Sequence, residues 1–168
     1  MVNLKAFTKL ARLKVTPEIT EEGLVTLITD LISVLPPKFL VLAAKKEITL
    51  MEFLKWLKEY ALKKYKEHME KGMKKEAEID KRNIKIVKSI YAIIGSIKVA
   101  CSMIPRYKIK KFMTPSNLAE RLEKALPKAK EVDPDGYRNL QLLLKLIDKY
   151  PKWWVKQVKE FRGIFLGE

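Results

Sequence analysis

One cysteine, one histidine and six side-chain amides are all that this 168-residue chain holds of three chemically versatile groups. Cys101 alone cannot close an internal disulfide, and it excludes every zinc site built on paired thiolates. His68 stands in Lys66-Glu67-His68-Met69-Glu70, a charged helix face on which exposure is expected, and no second histidine completes a ligand set or a triad. No Gly-rich phosphate loop, G-x-S-x-G elbow or H-E-x-x-H motif occurs, so the familiar devices for nucleotide binding and hydrolysis are missing. Glu76, Glu78 and Asp80 alternate along the chain, and alternate residues on a helix do not face one another, which argues against a metal site there. The expectation is a protein without catalytic residues, metal or cofactor.

Long apolar runs are also short of what a membrane needs. Leu24 to Ala44 contains Asp30, Lys38 and Pro36-Pro37, and Ser89 to Ile104 falls below the roughly 20 residues of a span and carries Lys98. Both read as core helices. The amino end, Met1-Val2-Asn3-Leu4-Lys5, lacks the apolar region and small-residue cleavage site of a secretory signal, so a cytoplasmic location or a place in a nucleoprotein particle is expected. The scarcity of amides beside abundant Lys, Glu and Ile is the bias of proteins from hot environments.

The most informative absence is of negative charge. Between residues 81 and 119 there is no Asp or Glu, while Lys81, Arg82, Lys85, Lys88, Lys98, Arg106, Lys108, Lys110 and Lys111 give that stretch +9. Residues 1–17 hold Lys5, Lys9, Arg12 and Lys14 with no acid, residues 149–168 carry +3, and residues 18–80 come to −1. Clustered charge creates a field, whereas interspersed charge mainly confers solubility. The whole chain has 35 basic and 20 acidic residues, a net +15, and nearly all of the excess lies in those three segments.

A hydrophobic content of 48% with 33% charged residues separates this sequence from disordered chains. Its length suits one domain, here 1–168 with 1–16 as a basic amino-terminal arm. The local signals are helical. Leu4, Phe7 and Ala11 define a short basic amphipathic helix, broken at Thr16-Pro17. Thr20 caps a helix that ends at Pro36-Pro37, and Pro37 opens a short one through Ala44. Thr49 and Glu52 have capping-box spacing, which starts a helix at Leu50. The polar stretch from Lys63 to Lys85 is either one helix or two joined at Gly72. Residues 84–104 are apolar nearly all round, with Ala92, Gly95, Ser96 and Ala100 offering a small face for a neighbouring helix. Thr114-Pro115 and Asp133-Pro134 are matched starts for helices over 115–126 and 134–149, connected through Pro127. A last helix follows Pro151, its apolar face formed by Trp154, Val158, Phe161 and Phe165. Adjacent Trp153 and Trp154 project about 100° apart, so both cannot point into the core; the one that does not caps the core edge, stacks on a base or, as Trp enrichment in such patches favours, enters a subunit contact. The predicted fold is an all-α bundle of about six to seven helices around a central apolar helix at 84–104.

Arg106-Tyr107-Lys108-Ile109-Lys110-Lys111-Phe112 reads as a basic loop with interleaved aromatics, where cations neutralise phosphates and rings stack on bases. The bland alternative is that its apolar side chains fold the loop onto the core. Lys149, Lys152, Lys156 and Lys159 share one ridge of the last helix, either as a solvated face or as a further phosphate contact. No helix presents the Arg, Asn and Gln cluster that reads base edges. The expected function is therefore non-enzymatic, sequence-indifferent binding of a DNA or RNA backbone in many copies, with self-association or other subunits. Coat proteins of filamentous viruses from hot environments and small helical subunits of RNA-guided complexes share that general character. The contacts would be Lys5, Lys9, Arg12, Lys14, Lys81, Arg82, Lys85, Lys88, Arg106, Tyr107, Lys108, Lys110, Lys111, Lys152, Lys156 and Lys159. An anionic membrane surface or a protein is the alternative partner, and a helical accessory subunit of an enzyme the third reading.

Overall fold

A computed structural model describes residues 4–12 and 20–168, and among these it contains nine helices and no strand. In chain order they are α1 (Leu4–Arg12), α2 (Glu21–Ser33), α3 (Pro37–Lys45), α4 (Leu50–Glu70), α5 (Lys74–Cys101), α6 (Arg106–Phe112), α7 (Pro115–Val132), α8 (Pro134–Lys149) and α9 (Pro151–Leu166). The all-α class stands, and the count exceeds six to seven. One reason is that Arg106–Phe112 is a helix and not a loop. Pro127 also lies inside α7 instead of ending it. Its position is exposed, so the carbonyl that a proline leaves without an N–H donor need not be buried unpaired. Lys14 and the Thr16-Pro17 break fall outside the described residues.

The predicted caps organise the chain. Thr20, Thr49, Thr114 and Asp133 each accept a hydrogen bond from the backbone N–H three residues on, at 3.2, 3.3, 3.3 and 3.1 Å. Each satisfies one of the donors that a helix start leaves open. Gly72, at φ 70°, ends α4 in a turn that only glycine adopts without strain, so the polar stretch is two helices. Lys58 lies over the Tyr91 ring at 6.0 Å and His68 bonds Asp80, so α4 and α5 run antiparallel as a hairpin. His68 is therefore half-buried and paired with a carboxylate, contrary to the exposed position expected of it. The pairing crosses the hairpin, which local sequence does not reveal.

The core draws on all nine helices, and α9 is its hub, touching α3, α5, α6, α7 and α8. Both tryptophans are buried, Trp153 at 1% and Trp154 at 3% exposure. The expected division between core and subunit contact fails because α9 is enclosed on more than one side. The Trp153 indole N–H donates to the Ile48 carbonyl and that of Trp154 to the Pro115 carbonyl, each at 2.9 Å. Residues 84–104 supply one buried stripe, Ile84, Val87, Ile90, Ile94, Ile97, Cys101 and Ile104, while Ala92, Gly95 and Ser96 lie exposed. No described helix packs on that small face. Burial pushes the Cys101 thiol up to about 11, which keeps it protonated and unreactive at neutral pH.

One face of α9 also fixes the turn between α3 and α4. Lys156 donates to the Glu47 carbonyl at 3.0 Å, and Gln157 Oε1 accepts from the Leu50 N–H at 2.8 Å. Glu160 Oε1 accepts from the Met51 N–H at 3.2 Å and from Gln157 Nε2 at 3.1 Å. Burial raises the Glu160 carboxyl above its ordinary value, partly opposed by these bonds and by the Thr49 hydroxyl. Glu47 itself has φ 55°, and the Ile48 N–H to Ala43 carbonyl bond, 3.0 Å, closes the left-handed helix end usually given to glycine. Among the described residues no single helix is long and apolar enough to cross a membrane.

Candidate nucleic-acid interface

The basic side chains singled out in the sequence divide by whether the fold supplies them with an anion. Lys5 pairs with Asp135, and Lys9 pairs with Asp133 and, at 3.4 Å, with Asp30. These bonds tie α1 to α8 and α2. Asp30 is 5% exposed, and burial raises its pKa against the opposing charge of Lys9. Burial alone would lower the Lys9 ammonium, but the Asp133 bond and the Asp30 charge outweigh it and the net shift is upward. Asp133 moves down, chiefly through its bond from Lys9. Lys5 and Lys9 thus act within the fold. Arg12 is exposed and has no ion-pair partner among the described residues.

The α4/α5 hairpin presents the opposite case. Both helices bury one side, Phe53, Leu54, Leu57 and Ala61 on α4 and the stripe already described on α5. At 100° per residue, Lys55, Lys58, Leu62, Lys66 and Met69 form one ridge along α4. Lys74, Lys81, Lys85 and Lys88 form the matching ridge on α5, with Glu78 interrupting it and Arg82 beside it. Antiparallel pairing sets both ridges on the side turned away from the core. All of these residues are exposed except Lys58, which is half-buried against Tyr91. None of these lysines, nor Arg82, has an ion-pair partner among the described residues. Their surface is a two-helix basic face extending from the core toward the Gly72 turn.

The remaining candidates sit elsewhere. On α6, Ile109 and Phe112 are buried, so the apolar side chains anchor the segment as the bland reading had it, while Tyr107, at 67% exposure, and Lys108, Lys110 and Lys111 face solvent. Arg106 is occupied at the chain's end, donating to the Leu166 carbonyl at 3.0 Å and to Glu168 at 2.9 Å. The axis of α6 turns 119° from that of α5, so the acid-free stretch 81–119 does not form one straight row. Lys152 and Lys159 on α9 are exposed, with no ion-pair partner among the described residues, whereas Lys156 holds the Glu47 carbonyl.

Sequence reading missed Lys55, Lys58, Lys66 and Lys74, because averaging over residues 18–80 balances them against acids on other helix faces. The 3, 4 and 4 spacing of Lys55, Lys58, Leu62 and Lys66 was the signal available. Also missed were Trp56 and Tyr60, exposed at 48% and 37% on the other flank of α4, their rings stacked at 5.3 Å with 16° between planes. Among the described residues, no three His, Cys, Asp or Glu side chains come together to hold a metal ion. No family model, curated protein or solved structure matches this chain.

Proposed function

We propose that this all-helical protein binds the phosphate backbone of nucleic acid without sequence preference, in many copies, as a structural component and not an enzyme. The observation that carries the reading is the outer face of the α4/α5 hairpin, where Lys66, Lys74, Lys81, Arg82, Lys85 and Lys88 are exposed without a counter-ion among the described residues. Like charges at helical spacing repel by a few tenths of a kcal/mol per pair unless an external anion neutralises them, and a polyphosphate is such an anion. Lys108, Lys110 and Lys111 with Tyr107 add a second contact. Lys5 and Lys9 are not contacts in this reading, because Asp135, Asp133 and Asp30 already neutralise them. The absence of an Arg, Asn and Gln cluster on either ridge favours backbone over base-edge recognition.

The test is titration of unrelated duplex DNA, single-stranded DNA and RNA across a salt series. The reading predicts similar affinity for unrelated sequences and a log–log salt slope of roughly −4 or steeper, corresponding to about five neutralised phosphates. A flat salt dependence contradicts it. Leu62 and Met69, exposed among the lysines, favour an anionic bilayer as the second reading. Tighter binding to anionic vesicles than to any nucleic acid, at equal ionic strength, would select it.

A further inference from the structure

The flank of α4 turned away from α5 carries an arrangement that the basic hairpin face does not use. Trp56 and Tyr60 stack there, and the ladder continues inward through Phe53, 5.6 Å from Trp56, to Phe39, 5.7 Å further. Lys64 covers the Tyr60 ring at 5.7 Å. Glu52 lies one turn before Trp56, and Lys63 nearly one turn after Tyr60, all toward the same edge of the helix. Glu52 and Lys63 are exposed and neither has an ion-pair partner among the described residues. Among the described residues the Glu52 carboxylate makes no hydrogen bond; at this helix start the Glu52 N–H donates to Thr49, while Gln157 and Glu160 take the Leu50 and Met51 N–H groups.

We propose that this edge is a self-association surface on which two copies pack α4 against α4, antiparallel about a two-fold axis near residue 58. The order acid, aromatic, aromatic, base along one edge is what selects that occupant. An antiparallel partner sets Glu52 of each copy opposite Lys63 of the other and Trp56 opposite Tyr60. A parallel partner would set acid on acid and base on base. The isologous arrangement is the one that a closed dimer requires, residue i meeting j and j meeting i. Trp and Tyr at its centre are the residue types that dominate such contacts, and a rim of complementary charge fixes the register. A nucleic-acid occupant fits less well, since Glu52, Glu59 and Glu67 lie on or beside this flank and Lys64 is engaged with Glu67 at 3.3 Å. The proposal deepens the many-copies part of the functional reading and rests on it only there, because the contact itself needs no nucleic acid.

The experiment is sedimentation velocity of the full chain without nucleic acid, from low to high micromolar concentration, with helicity checked for each variant. The wild type should show a reversible monomer–dimer equilibrium, and Trp56→Ala should be monomeric throughout. Glu52→Lys or Lys63→Glu alone should raise the dissociation constant on the order of tenfold, and the two together should restore it to within about twofold of wild type. A wild type that stays monomeric, or a dimer indifferent to Trp56→Ala and to the charge reversals, overturns the proposal. So does loss of single-stranded DNA binding in Trp56→Ala from a monomeric wild type, which would assign the rings to base stacking. Reversal of Lys81, Lys85 and Lys88 leaves this edge intact, so failure of nucleic-acid binding and failure of self-association are read independently.

Discussion

Gln157, in the middle of α9, reaches across 107 positions of sequence to accept the Leu50 N–H at 2.8 Å, and so completes the start of α4 from another helix. The side chain is fully buried. Gln157→Ala would leave that N–H without its partner and remove one of several bonds to the Glu160 carboxyl, and a buried donor left unpaired costs about 1–3 kcal/mol. Urea denaturation should show that loss, whereas Lys159→Ala on the exposed side of the same helix should stay within about 0.5 kcal/mol of wild type.

Glu47 occupies a left-handed conformation at the end of α3, and among the described residues its side chain makes no hydrogen bond or ion pair that offsets the strain. The conformation costs a residue with a Cβ about 1–2 kcal/mol, while glycine loses about 0.5–1 kcal/mol more chain entropy on folding. Glu47→Gly is therefore expected to stabilise the protein by up to about 1 kcal/mol. The Lys156 bond is kept, because it goes to the backbone carbonyl. The check is a higher urea midpoint at unchanged m-value.

Acid and base act in opposite directions on the ion-paired carboxyls at the start of α8 and on the buried carboxyl of α9. Asp133 and Asp135 have lowered pKa values, so the stability they contribute is present above the ordinary aspartate value of 3.8 and is lost as pH falls through their folded values. Glu160 is raised by burial, so its contribution is full below its ordinary 4.5 and declines as pH rises through the folded value. Glu160→Gln keeps an oxygen for the Met51 N–H and removes the charge. The variant should equal or exceed wild type in stability at pH 7, and the difference should vanish below pH 4.5, as thermal unfolding across pH would show.

Lys9 sits between Asp30 and Asp133, with Asp30 almost fully buried. Lys9→Ala leaves the Asp30 carboxylate without its cation and should cost about 1–2 kcal/mol, less than a fully buried pair because Lys9 itself is half-exposed. Asp30→Asn in the same chain should recover much of it. A double-mutant cycle by chemical denaturation reads the coupling directly.

The helix starts at Thr20, Thr49, Thr114 and Asp133 were legible because a cap is a local signal, as was the burial of Cys101 in an apolar run. What escaped was set by long-range pairing. The two tryptophans divide between core and surface only if one side of α9 is open, and the sequence of α9 does not say that α3 and α7 close the other. His68 meets Asp80 only once Gly72 has folded the chain back. The basic site was half legible: the acid-free stretch led to the α5 row, but the apparent equivalence of Lys5 and Lys9 with it dissolved once α8 and α2 brought Asp135, Asp133 and Asp30 against them. The α4 half of the face was hidden by averaging charge along the chain instead of around a helix.

The central claim is that the unpaired lysines of the hairpin, and not the paired ones of α1, meet the phosphates. The direct measurement is the affinity of the triple variant Lys81→Glu, Lys85→Glu, Lys88→Glu for several unrelated nucleic acids over a salt series, beside Lys5→Ala. The triple variant should lose on the order of a hundredfold at low salt, equally for every sequence, with the salt slope shallower by about 3, while Lys5→Ala binds as wild type does. Unchanged affinity and slope in the triple variant would contradict the account.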